Sequence, residues 1–377
     1  MQTVSLGIIG CGAISSVYFR NTPLFKGLRI AACADIKAEA AAKQAQAFGA
    51  PALAVDDLIA SPEIDIVVNL TVPNAHYEVS MAALKANKHV FTEKPLAARA
   101  ALGRRLVEAA KKRGLAIGSA PDTFLGAAGR RARTLIDAGA IGRPVTGTAF
   151  VLGHGMEHWH PNPEFFYKPG GGPVLDLGPY YITALINLLG PIARVQALTS
   201  IGEAERLVTA AGPHQGEAIK VETPTTALAL LEFASGAHIV AGMSWDVWRH
   251  SAAPIEIHGT EGSLRLPDPN FFGGAVEISK RGGDWVAHDT SADPFGALNQ
   301  PAAEPKVANY RVLGVADLAA AIREKRPARA GGDLALHALE AMEAILRAGA
   351  ERRAIRLPPA DIRPAVLPEE EAFALLA

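Results

Sequence analysis

The sequence predicts two domains: an α/β domain with a parallel sheet, followed by an α+β domain built on a large, mostly antiparallel open sheet. The chain has 377 residues, which is long for a single hydrophobic core. Strand and helix patterns alternate through residues 1–122, as in parallel sheets that carry helices on both faces. Strand patterns dominate residues 123–377, and their alternation favours a sheet that is open on one side.

The composition is that of a globular protein without an excess of positive charge. Hydrophobic residues make up 49% of the chain and the net charge is −1, so we expect no nucleic-acid partner. The sequence contains no apolar run long enough to span a bilayer and no visible leader. Its two cysteines, Cys11 and Cys33, are too few for a disulfide framework. We therefore expect a cytoplasmic protein that does not bind membranes.

The N-terminal domain is predicted to alternate five strands with helices. Short apolar runs predict strands, and alanine-rich or amphipathic stretches that stop near glycine or proline predict helices. The predicted strands are Val4–Ile9, Leu28–Ala34, Ile64–Leu70, His89–Thr92 and Leu115–Gly118. The predicted helices are Ala13–Asn21, Lys37–Phe48, Tyr77–Ala86 and Ala98–Arg113.

The second domain is predicted to contain three helices and a series of strands. The helices are Ala127–Ala138, one that runs from the Gly170 segment to Leu189, and Asp333–Ala348. The strands are Val145–Leu152, Arg194–Thr199, Thr225–Phe233, His238–Trp245, Ile255–His258, Ser263–Leu266 and Ala275–Ile278. We expect the last helix, residues 333–348, to pack back on the first domain. The open sheet favours a homodimer or homotetramer.

A Gly10-x-Gly12 turn follows the first predicted strand and opens the first helix. In a Rossmann domain the first glycine permits the tight turn, and the second lets a pyrophosphate approach the helix N-terminus. Ala13 and Ile14 would lie beside that phosphate. Ser15 takes the third position of the motif, where glycine or alanine is usual, so a chance glycine turn stays open as the alternative.

Asp35 ends the second predicted strand, where a carboxylate binds the adenosine ribose hydroxyls. It would repel a 2′-phosphate, which favours NAD over NADP, although the neighbouring Lys37 leaves NADP open. The alternative is an exposed acid at a strand end without a ligand.

The segment Thr71-Val72-Pro73-Asn74-x-His76 follows the third predicted strand. Parallel sheets bind ligands at the carboxyl ends of their strands, so we expect Thr71, Pro73, Asn74 and His76 to contact the cofactor. An ordinary turn in which Asn74 caps the next helix is an equally good interpretation.

The segment Gly170-Gly171-Gly172 leads into a predicted helix with Asp176 and Tyr180 four residues apart. Side chains at that spacing point to the same side of a helix. The acid can orient a substrate that carries hydroxyl groups, and the phenol can move its proton. Beside a nucleotide site this indicates redox chemistry on a sugar or polyol. The alternatives are a helix-capping role for Asp176 and a core position for Tyr180, with Tyr181 in its place; Pro179 complicates the helical geometry.

The run Thr92-Glu93-Lys94-Pro95, together with Gly-Gly-Gly-x-x-x-Asp-x-Gly-x-Tyr downstream, resembles the glucose–fructose oxidoreductase and inositol dehydrogenase (Gfo/Idh/MocA) family. The resemblance extends to the turns Gly139-x-Ile141-Gly142-x-Pro144 and Gly259-Thr260-Glu261-Gly262-Ser263. It implies a Rossmann domain and nicotinamide-dependent oxidation or reduction of sugars and polyols. It also implies that Glu93 and Lys94 lie at the cofactor, that Lys94 is the catalytic lysine and that Asp176 is its acidic partner.

Tyr180 stands where many family members carry histidine. The tyrosine resembles the glucose–fructose oxidoreductase and aldose dehydrogenase branch, which puts inositol in doubt as a substrate. Loss of hydride from a carbon requires that its hydroxyl lose a proton, so a base and a positive charge are needed. Lys94 would polarise the reacting oxygen and favour the phenolate of Tyr180, while Asp176 would hold a neighbouring hydroxyl.

We therefore expect an NAD-dependent sugar dehydrogenase that oxidises an aldose to a lactone. One alternative is oxidation of a ring hydroxyl of an inositol or glycoside to a ketone, and another is a non-catalytic sugar or nucleotide sensor. An aromatic loop, residues 154–168, and Asp122 at the domain junction are candidate substrate contacts, with His158, Trp159 and Tyr167 named from the loop. The alternatives are a loop that packs its own cluster and a helix cap. No metal is expected, because the loop histidines lack a supporting acid or cysteine pattern.

Overall fold

The first sheet consists of five short strands that are apolar and largely buried. The structure, a computed structural model, describes residues 3–300 and 306–377. The strands are β1 (Val4–Ile9), β2 (Leu28–Ala34), β3 (Ile66–Asn69), β4 (His89–Thr92) and β5 (Ile117–Ser119). The helices between them are α1 (Ser15–Asn21), α2 (Ala38–Phe48), α3 (Val55–Ala60), α4 (His76–Lys85) and α5 (Ala100–Arg113).

All neighbours in this sheet are parallel, and the strand order is β2-β1-β3-β4-β5. The chain first moves to one side of β1 and then crosses to the other, so the order reverses between β1 and β3. Open parallel sheets bind ligands outside the carboxyl ends of their strands at such a reversal. The predicted Rossmann domain is confirmed.

Two glycines shape the turn after β1 in different ways. Gly10 has a φ of 100°, and a Cβ there would lie 2.6 Å from the carbonyl oxygen of Leu70. Any other residue would therefore be strained and would clash with the backbone after β3. Gly12 has no atom within 4 Å of the place its Cβ would take. The turn is therefore packed against the sheet at Gly10 and open at Gly12. The edge formed by the carboxyl ends of the strands, towards which the turn is open, is called the ligand edge below.

Among residues 3–300 and 306–377 the second sheet contains nine strands, and two further short strands pair as a separate ribbon. The strands of this part are β6 (Pro144–Leu152), β7 (Ile192–Ser200), β8 (Glu205–Leu207), β9 (Ala218–Lys220), β10 (Thr226–Phe233), β11 (His238–Ser244), β12 (Ile255–Gly259), β13 (Gly262–Leu266), β14 (Val276–Lys280), β15 (Val286–His288) and β16 (Ile355–Arg356). The order of the large sheet is β15-β14-β13-β12-β6-β11-β10-β7-β16. Of the pairs that the described residues form within it, only β6 and β11 are parallel, so the sheet is mostly antiparallel, as expected.

The helices of the second part are α6 (Ala127–Asp137), α7 (Pro173–Asp176), α8 (Gly178–Leu189), α9 (Leu313–Glu324), α10 (Gly332–Glu351) and α11 (Glu369–Leu375). Every residue of α8 is buried. The long helix α10 contacts α5 and β5 on one side and α8 and β7 on the other, so it joins the two sheets. Among the described residues, no helix combines the length and the apolar character needed to cross a membrane.

One face of the large sheet carries α8 and α10, and the other exposes aliphatic side chains. Along β10, Ala227, Ala229 and Leu231 are buried, whereas Leu228 and Leu230 are each about half exposed. Leu228 pairs with Leu198 on β7, and Leu230 pairs with Val240 on β11. These four residues (Leu198, Leu228, Leu230 and Val240) form the open apolar face.

One prediction about helices is wrong, and three helices, α3, α9 and α11, were missed. The continuous helix expected up to Leu189 is broken at Leu177 into α7 and α8, because Pro179 has no N–H to donate to the carbonyl four residues earlier. Helix α9 was not predicted at all. Its residues Leu313–Ala321 are all buried, so it lacks the polar face that makes a helix visible as a periodic pattern.

Candidate functional site

Lys94 lies two residues after the end of β4, at the ligand edge of the first sheet. Its Nζ donates to Asp176 Oδ1 at 2.9 Å and to the Asp176 carbonyl oxygen at 2.8 Å. An ammonium group has three donors, so one N–H stays available for a ligand. The Lys94 side chain is 19% exposed and that of Asp176 is 22% exposed, which leaves both within reach of a small molecule.

Asp176 is the last residue of α7, and the helix break places it beside Lys94. The turn before α7 needs Gly172, whose φ is 88° and whose Cβ would lie 3.0 Å from the Pro224 carbonyl oxygen. The spacing predicted that Asp176 and Tyr180 share one continuous helix, and they do not. They still converge, because α8 starts immediately after Leu177 and carries Tyr180 in its first turn.

Two cations lie close to the Tyr180 ring. Lys94 Nζ is 5.4 Å from the centroid of the Tyr180 ring, and Arg311 Cζ is 5.8 Å from it. Arg311 Nη2 also donates to the Tyr180 hydroxyl at 3.4 Å. Tyr181 faces elsewhere: burial and the neighbouring Asp268 raise its pKa well above the usual value for tyrosine. Of the two adjacent phenols, Tyr180 is the one that meets Lys94.

The surroundings of Lys94 keep it charged. Burial acts to lower the pKa of Lys94, but Tyr180, Asp176 and Glu93 more than offset it and hold the pKa above the ordinary value for lysine. Glu93 is itself buried; it accepts from the Tyr18 hydroxyl at 3.0 Å and from the Lys94 N–H at 2.9 Å. Glu93 thus lies beneath the edge and fixes the backbone of Lys94.

The turn after β1 and the end of β2 form one unit. Asp35 Oδ2 accepts from the Cys11 N–H at 2.7 Å, and Oδ1 accepts from the Lys37 N–H at 2.8 Å. The carboxylate is therefore held in place at the strand end. Ser15, the unusual third motif position, is buried and its hydroxyl donates to the Gly12 carbonyl at 2.6 Å. Both thiols, Cys11 and Cys33, are free and buried.

This geometry fits a dinucleotide. The surface over Gly12 is open, Ala13 is exposed and Ile14 is half-buried at the start of α1. The Asp35 carboxylate keeps lone pairs for hydroxyl donors, since each backbone bond uses only one of them.

The segment after β3 divides into exposed and buried residues. Pro73 and Asn74 are exposed, and Thr71 is half-buried, with its hydroxyl donating to Asn69 Oδ1 at 2.6 Å. Asn74 makes no capping hydrogen bond to α4. His76 is fully buried: Nδ1 lies 2.6 Å from the Pro95 carbonyl oxygen and Nε2 lies 2.9 Å from that of Thr71. His76 thus links the loop after β3 to the turn that contains Lys94 and Pro95.

Asp122 faces the protein interior and not the ligand edge. It is 1% exposed, and its Oδ2 accepts from the N–H groups of Val312 and Gly314 at 3.2 and 2.8 Å. It therefore caps the first turn of α9, while its Oδ1 has no hydrogen-bond partner among the described residues. Burial raises its pKa to about 6. As a helix cap, Asp122 was expected to act on the segment that follows it in the chain. The helix that it caps, α9, lies much later in the sequence.

The aromatic loop packs largely on itself. His160 makes edge contacts with Trp159, Phe165 and Phe166. Tyr167 is fully buried, with its hydroxyl bonded to Glu157 and to the Met156 N–H. His158 is exposed and Trp159 is 58% exposed. Of the predicted loop residues, these two can reach solvent and Tyr167 cannot. Among the described residues, no cluster of histidine, cysteine or carboxylate side chains has the makings of a metal site.

Arg311 was missed by the sequence analysis. It comes from an irregular segment before α9 and belongs to no motif. A single arginine between Tyr310 and Val312 gives no pattern from which its partners could be predicted.

Comparison with known proteins agrees with this architecture. Residues 4–120 match an oxidoreductase family with an NAD-binding Rossmann fold, and residues 130–265 match the GFO/IDH/MocA C-terminal domain. Inositol 2-dehydrogenase 3 from Saccharopolyspora erythraea is 30% identical over 272 residues, which cover 71% of this chain and 74% of that protein. The chain belongs to the Gfo/Idh/MocA family. A 1,5-anhydro-D-fructose reductase from Ensifer adhaerens is 28% identical over 268 residues, covering 68% of this chain and 74% of that one.

A solved structure described as an NAD-binding oxidoreductase from Klebsiella pneumoniae has the same fold. Its TM-score is 0.82 at 23% identity, covering 95% of this chain and all of that one. The chain is thus an NAD-binding enzyme of a sugar and polyol oxidoreductase family. The predictions of family, enzyme class and cofactor are confirmed, and the sensor alternative is set aside.

Proposed function

We propose that this enzyme oxidises an aldose at its anomeric carbon, with NAD as the hydride acceptor, and releases a lactone. The observation that supports it best is the position of Tyr180, a phenol beside a charged lysine and a carboxylate at the end of β4. An anomeric hydroxyl is more acidic than a ring hydroxyl. The phenolate of a tyrosine is a weaker base than an alkoxide, so its basicity suits the removal of a proton from a more acidic hydroxyl of this kind.

Each of the three side chains has a separate role in the proposed mechanism. The free N–H of Lys94 donates to the reacting oxygen and stabilises the negative charge that develops there. Tyr180, as its phenolate, takes the proton of that hydroxyl. The carboxylate of Asp176 orients Lys94 and accepts from a neighbouring hydroxyl of the sugar. Bound NAD would supply the hydride acceptor, and the hydrogen on the reacting carbon would leave with both C–H bonding electrons as the carbonyl forms.

The cofactor site that we propose has residues that face the ligand and residues that support them. Gly10, Gly12, Ala13 and Ile14 face the pyrophosphate, and Asp35 faces the adenosine ribose. Thr71, Pro73 and Asn74 border the same edge, while His76 and Glu93 act from below by holding the loops. We limit the proposed substrate wall in the aromatic loop to His158 and Trp159, since Asp122 and Tyr167 are turned inward.

Oxidation of a ring hydroxyl to a ketone is a second candidate. It is favoured by the relative named as an inositol 2-dehydrogenase, because inositol has only ring hydroxyls. The same Lys94, Asp176 and Tyr180 would serve either reaction, with the sugar turned to present a different carbon.

An aldose carrying deuterium at C1 separates the two reactions. Purified enzyme is given NAD and the labelled sugar, and the reduced nicotinamide is analysed by mass spectrometry. Oxidation at C1 moves the deuterium to the nicotinamide, and the sugar becomes a lactone. Deuterium that stays in an oxidised sugar would show ketone formation and contradict the proposal. A panel of aldoses, inositols and glycosides identifies the substrate to label.

We also propose that the open apolar face joins copies of the chain into a homodimer or homotetramer. A cytoplasmic location stays a prediction.

A further inference from the structure

The guanidinium of Arg311 is directed at the phenolic oxygen of Tyr180 by a second residue. Arg311 Nη2 donates to Asn270 Oδ1 at 2.8 Å and to the Asn270 carbonyl oxygen at 3.3 Å, and reaches the Tyr180 hydroxyl at 3.4 Å. Asn270 thus fixes the orientation of the guanidinium. Within the described residues, this is the only side-chain hydrogen bond to the Tyr180 hydroxyl.

The backbone around Arg311 is held from two other parts of the molecule. Asn21, the last residue of α1, donates through Nδ2 to the carbonyl oxygens of Asn309 and Arg311 at 2.9 and 3.0 Å. Asp122 accepts from the N–H of Val312, which follows Arg311. Val312 has a φ of 104°, a conformation that a β-branched residue adopts only when its surroundings impose it.

We propose that Arg311 is a positioning residue for Tyr180, and that its guanidinium stabilises the negative charge on the phenolic oxygen when Tyr180 acts as a base. The proposal rests on the role of Tyr180 given under the proposed function. A guanidinium stays charged at every physiological pH. A hydrogen bond from a cation to an anionic oxygen is shorter and stronger than one to a neutral hydroxyl, so the 3.4 Å contact is expected to tighten as the phenolate forms.

Arg311 and Lys94 have different hydrogen-bonding roles at the site. Lys94 lies over the Tyr180 ring and donates two hydrogen bonds to Asp176, so its remaining donor is available to the substrate. Arg311 contacts the phenolic oxygen itself. Two cations around one phenol allow it to ionise without taking Lys94 away from the substrate.

Carboxylates around Arg311 sustain its charge. Burial acts to lower the pKa of Arg311, but Tyr180, Glu93 and Asp122 more than offset it and raise the pKa above the usual value. The ionisable groups that face Arg311 or Tyr180 from the neighbouring elements are Lys94, Asp176, Glu93, Asp122, Tyr18 and Asp268.

The test is a pH titration of tyrosinate absorbance on substrate-free enzyme. Subtracting the signal of Tyr180→Phe isolates Tyr180, in the wild-type background and in Arg311→Met. We expect the Tyr180 signal to appear at higher pH in Arg311→Met, and in between in Arg311→Lys. An unchanged titration in Arg311→Met would overturn the proposal. Arg131→Met is the control, because Arg131 is partly buried like Arg311 but pairs with Asp293; its Tyr180 titration should match the wild type.

Kinetics give the second readout. At neutral pH, kcat/KM of Arg311→Met should fall about tenfold, with a smaller loss at high pH. Arg311→Met should cost nothing further once Tyr180 is phenylalanine, since it acts through the phenol; equal losses in both backgrounds would contradict the proposal. If Arg311→Met does not fold, Arg311→Lys and Asn270→Ala carry the same comparison. Full activity of Tyr180→Phe would refute the proposed base, whereas the titration tests Arg311 without turnover.

Discussion

At the scale of single residues, Lys94 is a fixed cation and not a proton carrier. Burial acts to lower its pKa, but Tyr180, Asp176 and Glu93 hold the pKa above the usual value for lysine, so Lys94 is charged at neutral pH. We therefore expect a change of activity with pH near neutrality to come from other groups.

Lys94→Met should lower kcat by about 10²–10³-fold, the usual effect of removing one donor to a developing oxyanion. NAD binding, measured by calorimetry, should persist. Lys88→Met is a matched control, because Lys88 precedes the same strand and donates to the carbonyl oxygens of Ser61 and Ile64, away from the edge. Near-normal turnover of Lys94→Met would refute the mechanism.

Asp35→Ala should weaken NAD binding and reduce the preference for NAD over NADP, because a charge opposed to the 2′-phosphate is lost. The alanine also removes the acceptor for the Cys11 and Lys37 N–H groups. Asp35→Asn separates the two effects, since it retains an acceptor without the charge. If Kd for both cofactors is unchanged in both variants, Asp35 is not the ribose ligand.

At the scale of elements, the N-terminus of α9 is the least expected part of the fold. Asp122 comes from the domain junction and bonds to N–H groups 190 and 192 residues away along the chain. A carboxylate is favoured at that end of a helix, yet complete burial raises its pKa to about 6.

Asp122→Asn should change how stability depends on pH. The native state holds the Asp122 proton up to about pH 6, whereas an unfolded chain releases it near pH 4. Between these values the native state binds more protons, so the free energy of unfolding falls as pH rises. The wild type should lose on the order of 2 kcal/mol across this window relative to Asp122→Asn. Urea unfolding at a series of pH values checks this, and parallel curves for the two proteins would contradict it.

At the scale of the whole molecule, the open apolar face predicts self-association. Leu228→Glu and Leu230→Glu place a charge where a partner would bury it, which is costly. Light scattering after gel filtration should show a smaller assembly than the wild type. Leu298→Glu is the control, because Leu298 is also exposed but lies outside this face. A wild-type monomer, or assemblies unaffected by either change, would exclude this interface.

Much of the architecture is legible in the sequence because buried parallel strands are runs of apolar residues and Rossmann turns need glycine. Lys94 and Asp176 were predicted from their motifs, and the structure brings the two side chains together. The break at Leu177 was signalled by Pro179, but its position depends on packing. Arg311 and α9 could not be found, since a helix buried on all sides has no periodic pattern and a single arginine in a loop has no recognisable neighbours. Their partners, Asn21, Asp122 and Asn270, are brought to them only by the tertiary fold.

The location of the two thiols has a practical consequence. Cys11 and Cys33 are 6% and 0% exposed, and Cys11 is held in the glycine turn by its bond to Asp35. A thiol-reactive dye can reach Cys11 in the native protein only while this turn opens, whereas Cys33 is buried on β2. The rate at which the dye modifies Cys11 therefore measures local opening of the nucleotide turn without any engineered probe. This rate should fall when bound NAD holds the turn closed.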